Sequence, residues 1–385
     1  MPGLWDMPLI PGGCRAYTPR RPALFFPERI ILAKGSHDPP PRRALAEAIC
    51  GLYWDAEIVE RFDTPHNRVD LGPGSGLDLH YRGKRTLVLG EHKSALRLSQ
   101  ESGNTCPNYW HFSPYGFCPY DCKYCYLAAT RGVRFSPTVK VFLNLEEMLA
   151  DIDRVASRIA RPTAFYLGKL QDGLALDPLT GYSRTLVPFF AAHRYARLTL
   201  LTKAADVQNL LDLQHAGRTI LSWSLNPRAV CDEYEANTPP TSARTRAMKA
   251  CAAAGYPVRV VIMPIIPTPG WEDLYSDFLV DLLGQVSLDR ITLGGICSYP
   301  GALQLTELKL GRANAISTLL AGGKENSPDG RLRYSVADRV KIYAFLLSVV
   351  RRLQPDLPIG LCLEERPVFE ALGMASHIGR CNCVL

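Results

Sequence analysis

The chain has 385 residues, 47% hydrophobic and 21% charged, with a formal net charge of +7. That length holds one large α/β domain with an accessory layer, or two domains, and so mild a positive charge permits a nucleic-acid partner without requiring one. No run of 18 apolar residues occurs, so no membrane span is expected; twelve cysteines behind a start that lacks an apolar signal core point to a cytoplasmic, reducing setting and to metal or redox chemistry rather than a disulfide framework.

Residues 1–23 read as a flexible arm and residues 24–105 as a small α/β unit. Short apolar runs at 29–33, 55–62 and 85–90 predict strands, and residues 41–53 have helical spacing behind prolines. Leu71-Gly-Pro-Gly-Ser-Gly76 reads as a plain loop, because it lacks the strand-then-helix setting and spacing of a phosphate loop.

An aromatic, extended stretch at 108–117 leads into Cys118-Pro-Tyr-Asp-Cys122-Lys-Tyr-Cys125-Tyr-Leu. Three thiols spaced C-x3-C-x2-C suit a 4Fe-4S cluster with one iron left open for chemistry. A zinc site is the rival reading and would need a fourth ligand, for which His111 and Cys106 stand upstream.

From 108 onward strand-like and helix-like segments alternate. Strands are expected at 108–115, 163–168, 197–202, 219–225, 257–263 and 290–296, with helices at 145–160, 178–192, 206–215, 242–254 and 272–285. The fold class is therefore α/β, a partial (β/α)6 TIM-type barrel over residues 106–365 with the N-terminal α/β accessory unit in front. Reactive groups of such a barrel gather at the C-terminal ends of its strands. A helix at 336–353 and a strand at 358–363 follow, and a tail at 366–385 carries Cys381-Asn-Cys383.

The cysteine loop resembles that of the radical S-adenosylmethionine (SAM) enzymes, in which SAM chelates the open iron and is split to a 5'-deoxyadenosyl radical. Over most of residues 24–365 the chain is similar to the spore photoproduct lyase family, which reverses a methylene-bridged thymine dimer in DNA. Pro65-His-Asn67, Lys123-Tyr-Cys-Tyr-Leu127, Leu201-Thr-Lys203, Trp223-Ser-Leu-Asn226, Ala254-Gly-Tyr-Pro257 and Gly270-Trp271 carry the resemblance in order. It implies Cys118, Cys122 and Cys125 as cluster ligands, Lys203 against the SAM carboxylate, Ser224 and Asn226 on its methionine or ribose part, and Met263 near the adenine. Tyr124 and Tyr126 would relay a hydrogen atom; an external one-electron reductant is needed; and Arg331 and Arg333, with Arg131 and Arg134, would meet DNA.

One departure stands out. The lyases carry a hydrogen-donating cysteine after the second strand, where this chain has Lys169 in Thr163-Ala-Phe-Tyr-Leu-Gly-Lys169-Leu-Gln-Asp172. An ammonium N–H bond is too strong to replace a thiol. Another thiol (Cys381, Cys383, Cys297 or Cys231) or Tyr126 would have to donate, or Lys169 binds an acidic group on a different substrate of the same radical chemistry. A non-catalytic nucleic-acid-binding protein with structural zinc is the reading from another class.

Overall fold

A computed structural model describes residues 17–322 and 327–385, so most of the expected arm, residues 1–16, lies outside the described residues. Residues 17–21 are pinned: the Tyr17 hydroxyl donates to Pro178 O at 2.7 Å, and Arg20 N donates to the same carbonyl.

Strands β1 (Arg29–Leu32), β2 (Glu57–Glu60) and β3 (Thr86–Gly90) run parallel, with the helix Pro40–Leu52 crossing between the first two. Strands β4 (Arg97–Ser99) and β5 (Tyr109–His111) form an antiparallel pair, and β6 (Tyr115–Gly116) and β7 (Asp121–Cys122) bracket the start of the cysteine loop. Next comes β8 (Val139–Phe142), which returns to the first sheet, parallel to β3 and antiparallel to β6, giving the order β2-β1-β3-β8-β6. The N-terminal sheet thus takes strands from beyond residue 105. All four residues of β8 are buried, as a strand covered on both faces requires.

The second sheet adds β9 (Thr163–Leu167), β10 (Ala196–Thr202) and β11 (Thr219–Ser224). After β12 (Glu235–Ala236), which pairs with β7, come β13 (Val258–Ile262) and β14 (Arg290–Leu293). A small hairpin, β15 (Cys297–Ser298) with β16 (Leu332–Arg333), precedes β17 (Ile359–Leu361). The order β17-β14-β13-β11-β10-β9-β5-β4 is parallel except for the β4 edge, an open, curled half-barrel wrapped by helices such as Leu145–Ile159, Thr241–Ala253 and Trp271–Gln285. One hydrophobic core runs through both sheets, from Ile30, Leu87 and Val139 to Phe165, Val260 and Leu346.

Two expectations fail locally. Residues 206–215 form successive turns, not a helix, because Asn209 is drawn away to bond Asp177 Oδ2 at 2.8 Å. The expected loop at 71–76 runs straight into the helix Gly76–Lys84, started by a capping box between Ser75 and Asp78. The helices Pro300–Leu310 and Ala315–Gly322 were not anticipated. No described helix is long and apolar enough to cross a membrane.

Candidate active site

The parallel strands β5, β9, β10, β11, β13, β14 and β17 point their carboxyl ends to one mouth. Lys169 follows β9 by two residues, Lys203 directly follows β10, Ser224 ends β11, and Met263 directly follows β13. At the turn after β9, Gly168 has φ 140°, and a Cβ there would lie 2.8 Å from Leu201 Cβ. Only glycine fits so close a passage. Asp172 then ties the turn to the neighbouring strand, accepting from Thr202 Oγ1 at 2.6 Å and from Lys203 N at 2.7 Å.

The residue that joins the cysteine loop to this mouth is Glu235, which sequence reasoning missed. β12 pairs with β7 so that Glu235 sits opposite Cys122. Its buried carboxylate accepts from Lys203 Nζ at 2.9 Å, from Arg244 at 2.6 Å and from the Tyr124 hydroxyl. Burial alone would raise this carboxyl, but Lys203 and then Arg244 outweigh burial and hold it at about 2, against an ordinary 4.5. Lys203 Nζ also donates to Ser224 Oγ at 2.7 Å, and Ser224 Oγ lies 3.5 Å from Met263 O. Cys122, Tyr124, Lys203, Ser224 and Met263 are thereby gathered around one buried carboxylate.

Asn226 is not part of that group. It is fully buried, its amide donating to Pro264 O at 3.1 Å and its Oδ1 accepting from Tyr275 at 3.0 Å. Its polar atoms are spent fastening β11 to the 264–275 segment. The two tyrosines also diverge: Tyr124 turns to Glu235, whereas the Tyr126 hydroxyl donates to Lys169 O at 2.8 Å.

The loop itself is held from below by Lys84, whose ammonium donates to Cys118 O at 2.5 Å and Tyr120 O at 2.6 Å and lies 3.7 Å from the Phe117 ring centre. Cys118, Cys122 and Cys125 feel one another electrostatically. Burial raises the Cys118 thiol strongly and the Cys122 thiol to about 12, while Lys84 beside the first, and Lys203 and Arg244 beside the second, pull the other way. Soft thiols backed by cations fit an anionic iron–sulfur cluster, which offsets the cost of ionising them. Among the described residues no three Cys, His, Asp or Glu side chains converge as a single ion requires. Cys106 lies with Cys362, Cys381 and Cys383, and His111 lines a cleft beside the loop; among the described residues neither is gathered with the loop thiols into a metal-holding set.

Arg331 and Arg333, the expected DNA contacts, are both ion-paired within the chain. Arg331 binds Glu101 at 2.7 Å and Asp329 at 3.0 Å, and buried Arg333 binds Asp329 at 2.5 Å, so their charge is neutralised inside the protein. Lys169 is likewise engaged by Glu101 at 2.6 Å and by the Ser99 hydroxyl. Against the effect of burial, Lys169 and Arg331 together hold Glu101 at about 2. An ammonium already paired in this way is a poor receptor for an acidic substrate group. Arg134 is exposed just past the loop, and the side chain of Arg131 lies outside what is described.

The tail threads into the barrel. Ser222 Oγ donates to Asn382 Oδ1 at 2.8 Å, Arg290 to Cys381 O at 2.8 Å and Arg259 to Val384 O at 2.7 Å. It passes so close to β17 that a Cβ on Gly360 would lie 2.0 Å from Arg380 O. Cys383 lies beside Cys381 and sits within electrostatic reach of Tyr109, Tyr126 and Tyr166. Cys231 instead bonds Asn226 O and Glu235, and Cys297 lies opposite Arg333 in the β15–β16 hairpin.

A family model described as spore photoproduct lyase matches residues 25–292. The chain belongs to the spore photoproduct lyase family. The spore photoproduct lyase of Geobacillus sp. (strain Y412MC61) is 32% identical over 245 residues, 63% of this chain and 70% of that protein. That of Bacillus subtilis (strain 168) is 32% identical over 254 residues, 65% of this chain and 71% of the relative. A solved spore photoproduct lyase complexed with dinucleoside spore photoproduct superposes with a TM-score of 0.75 at 24% identity, covering 89% of this chain and 100% of that one. The half-barrel is thus the fold of the spore photoproduct lyases, and the tail thiols lie beyond the stretch that the family model matches.

Proposed function

We propose that this protein is a radical SAM lyase that reverses a methylene-bridged thymine dimer in DNA. The observation that carries the reading is the buried Glu235, which ties the cysteine loop to Lys203 and Ser224 at the strand ends of a spore photoproduct lyase fold. Cys118, Cys122 and Cys125 would hold a 4Fe-4S cluster, and Lys203, Ser224 and the Met263 backbone would hold SAM beside it. Bound there, the pair supplies, once reduced by an external one-electron donor, a primary carbon radical that takes hydrogen from C6 of the bridged thymine.

The chain's own part is positioning. Lys203 offers a point charge to a carboxylate and is aimed by Glu235 and Ser224. After the bridge breaks, the carbon radical left on one thymine needs a hydrogen atom, which ion-paired Lys169 cannot give. Cys383, half-buried and within electrostatic reach of Tyr109, Tyr126 and Tyr166, is the donor in this reading. Its S–H bond breaks homolytically, a C–H bond forms on the thymine methylene, and one electron from the external donor with one proton restores the thiol.

Reconstituted protein incubated anaerobically with SAM, reductant and dinucleoside spore photoproduct tests this. Thymidine is expected in proportion to lesion consumed; 5'-deoxyadenosine without thymidine would defeat the lyase reading. Cys383→Ser should raise the ratio of 5'-deoxyadenosine to thymidine about tenfold, and an unchanged ratio would remove Cys383 from the scheme.

A further inference from the structure

A cleft of about 1020 Å³ opens between the N-terminal sheet and the barrel, next to the candidate site but not part of it. The cleft shares Phe117, Val133 and Leu170 with the apolar cluster around the cysteine loop, so it leads away from the residue beside Lys169. Its lining is cationic: Lys34, Lys93, Arg97 and Lys140 face a single carboxylate, Glu91. Glu91 is already engaged, by Arg42 at 3.7 Å as well as by Lys93 at 3.8 Å. Lys34 and Arg97 have no carboxylate partner among the described residues, and Arg97 bonds only to Ser94.

Two buried groups in the wall lack the partner that they call for. The Lys140 ammonium is 6% exposed and meets only the carbonyls of Ser136 at 2.8 Å and Thr138 at 2.9 Å, and burial draws it down to about 7. The Nδ1 of His111, a residue 5% exposed, has no hydrogen-bond partner. At the rim Phe135 is 70% exposed, an aromatic ring that the core does not use. Cations in excess of carboxylates along a groove, with an open ring beside it, match what a single nucleic-acid strand asks for: phosphate contacts and a stacking face.

We propose that this cleft holds the single DNA strand flanking the lesion, its phosphates on Lys34, Lys93 and Arg97 and a base on Phe135. The identity of the strand as DNA rests on the repair reading; the cleft's affinity for a strand does not. It offers cations with fewer carboxylate partners than Arg331 and Arg333, which are ion-paired to Glu101 and Asp329. Binding there would also place an anion near Lys140 and favour its charged form.

The test is fluorescence anisotropy of the reconstituted full chain with a lesion-free 12-mer single strand, across a salt series and without reductant. Replacing Lys34, Lys93 and Arg97 together by Gln should weaken binding about tenfold or more. It should also lower the slope of log affinity against log salt by about 2, since each single-strand phosphate contact contributes about 0.7. Phe135→Ala should cost about tenfold. The control removes equal charge from helices that do not line the cleft, with Arg246, Lys249 and Arg352 changed to Gln. Wild-type affinity and slope in the cleft variant, or an equal loss in the control, overturns the proposal. So does competition by millimolar inorganic phosphate, which would make the cleft a site for a lone anion. A protein that binds the strand here yet frees no thymidine would sink the repair reading and leave the cleft standing.

Discussion

Glu235→Gln keeps the size of the side chain and removes the charge that Lys203 and Arg244 share. The displacement of the carboxyl from 4.5 to about 2 corresponds to about 3 kcal/mol of stability when Glu235 is ionised. That agrees with about 3–5 kcal/mol for breaking a buried ion pair by removing one partner. A carboxyl depressed by folding contributes fully above its unfolded value, and the contribution fades as pH falls through the folded one. Urea unfolding of the two proteins should therefore differ by about 3 kcal/mol at pH 7, with the gap closing between pH 4.5 and 2. The same variant should bind SAM more weakly after reconstitution, because Lys203 loses the partner that aims it. A gap below about 1 kcal/mol, or one that stays constant down to pH 3, would show that the carboxylate does not hold the loop to the barrel.

Cys122→Ala should abolish iron and sulfide uptake together with SAM cleavage, read by anaerobic metal analysis and chromatography; retained cleavage would unseat the ligand set. Lys203→Met should weaken SAM binding roughly tenfold to a hundredfold, the value of a charge-assisted hydrogen bond, and calorimetric titration showing native affinity would refute its role. Gly168→Ala should cost about 1–3 kcal/mol, since a Cβ would strike Leu201 at a φ of 140°; thermal unfolding at the wild-type midpoint would contradict this. Tyr126→Phe frees Lys169 O and should raise the ratio of 5'-deoxyadenosine to thymidine, while an unchanged ratio would leave the ring a packing group.

Most of the barrel is legible because its strands are short apolar runs closed by turns, and because the chemistry-bearing Lys203 and Ser224 stand at their ends. What stays hidden comes from distant pairings. Glu235 has its partners at Cys122, Tyr124, Lys203 and Arg244, and nothing local marks it as more than one acidic residue in a helix–turn stretch. Arg331 and Arg333 look like free cations until Asp329 and Glu101 fold against them. Asn226 reads as a ligand from its motif, yet Tyr275, 49 residues away, claims its oxygen. The helix Gly76–Lys84 does carry a local signal, since Ser75 and Asp78 stand at capping-box spacing.

The return of β8 to the first sheet has a practical meaning. Because Val139–Phe142 is bonded on one side to β3 and on the other to β6, the N-terminal sheet is completed only by strands from beyond residue 105, and the two layers share one core. Truncating the chain before residue 106 would strip β3 away and leave a buried, β-branched edge open to neighbouring molecules. Such a fragment is expected to aggregate rather than survive as a freestanding catalytic half.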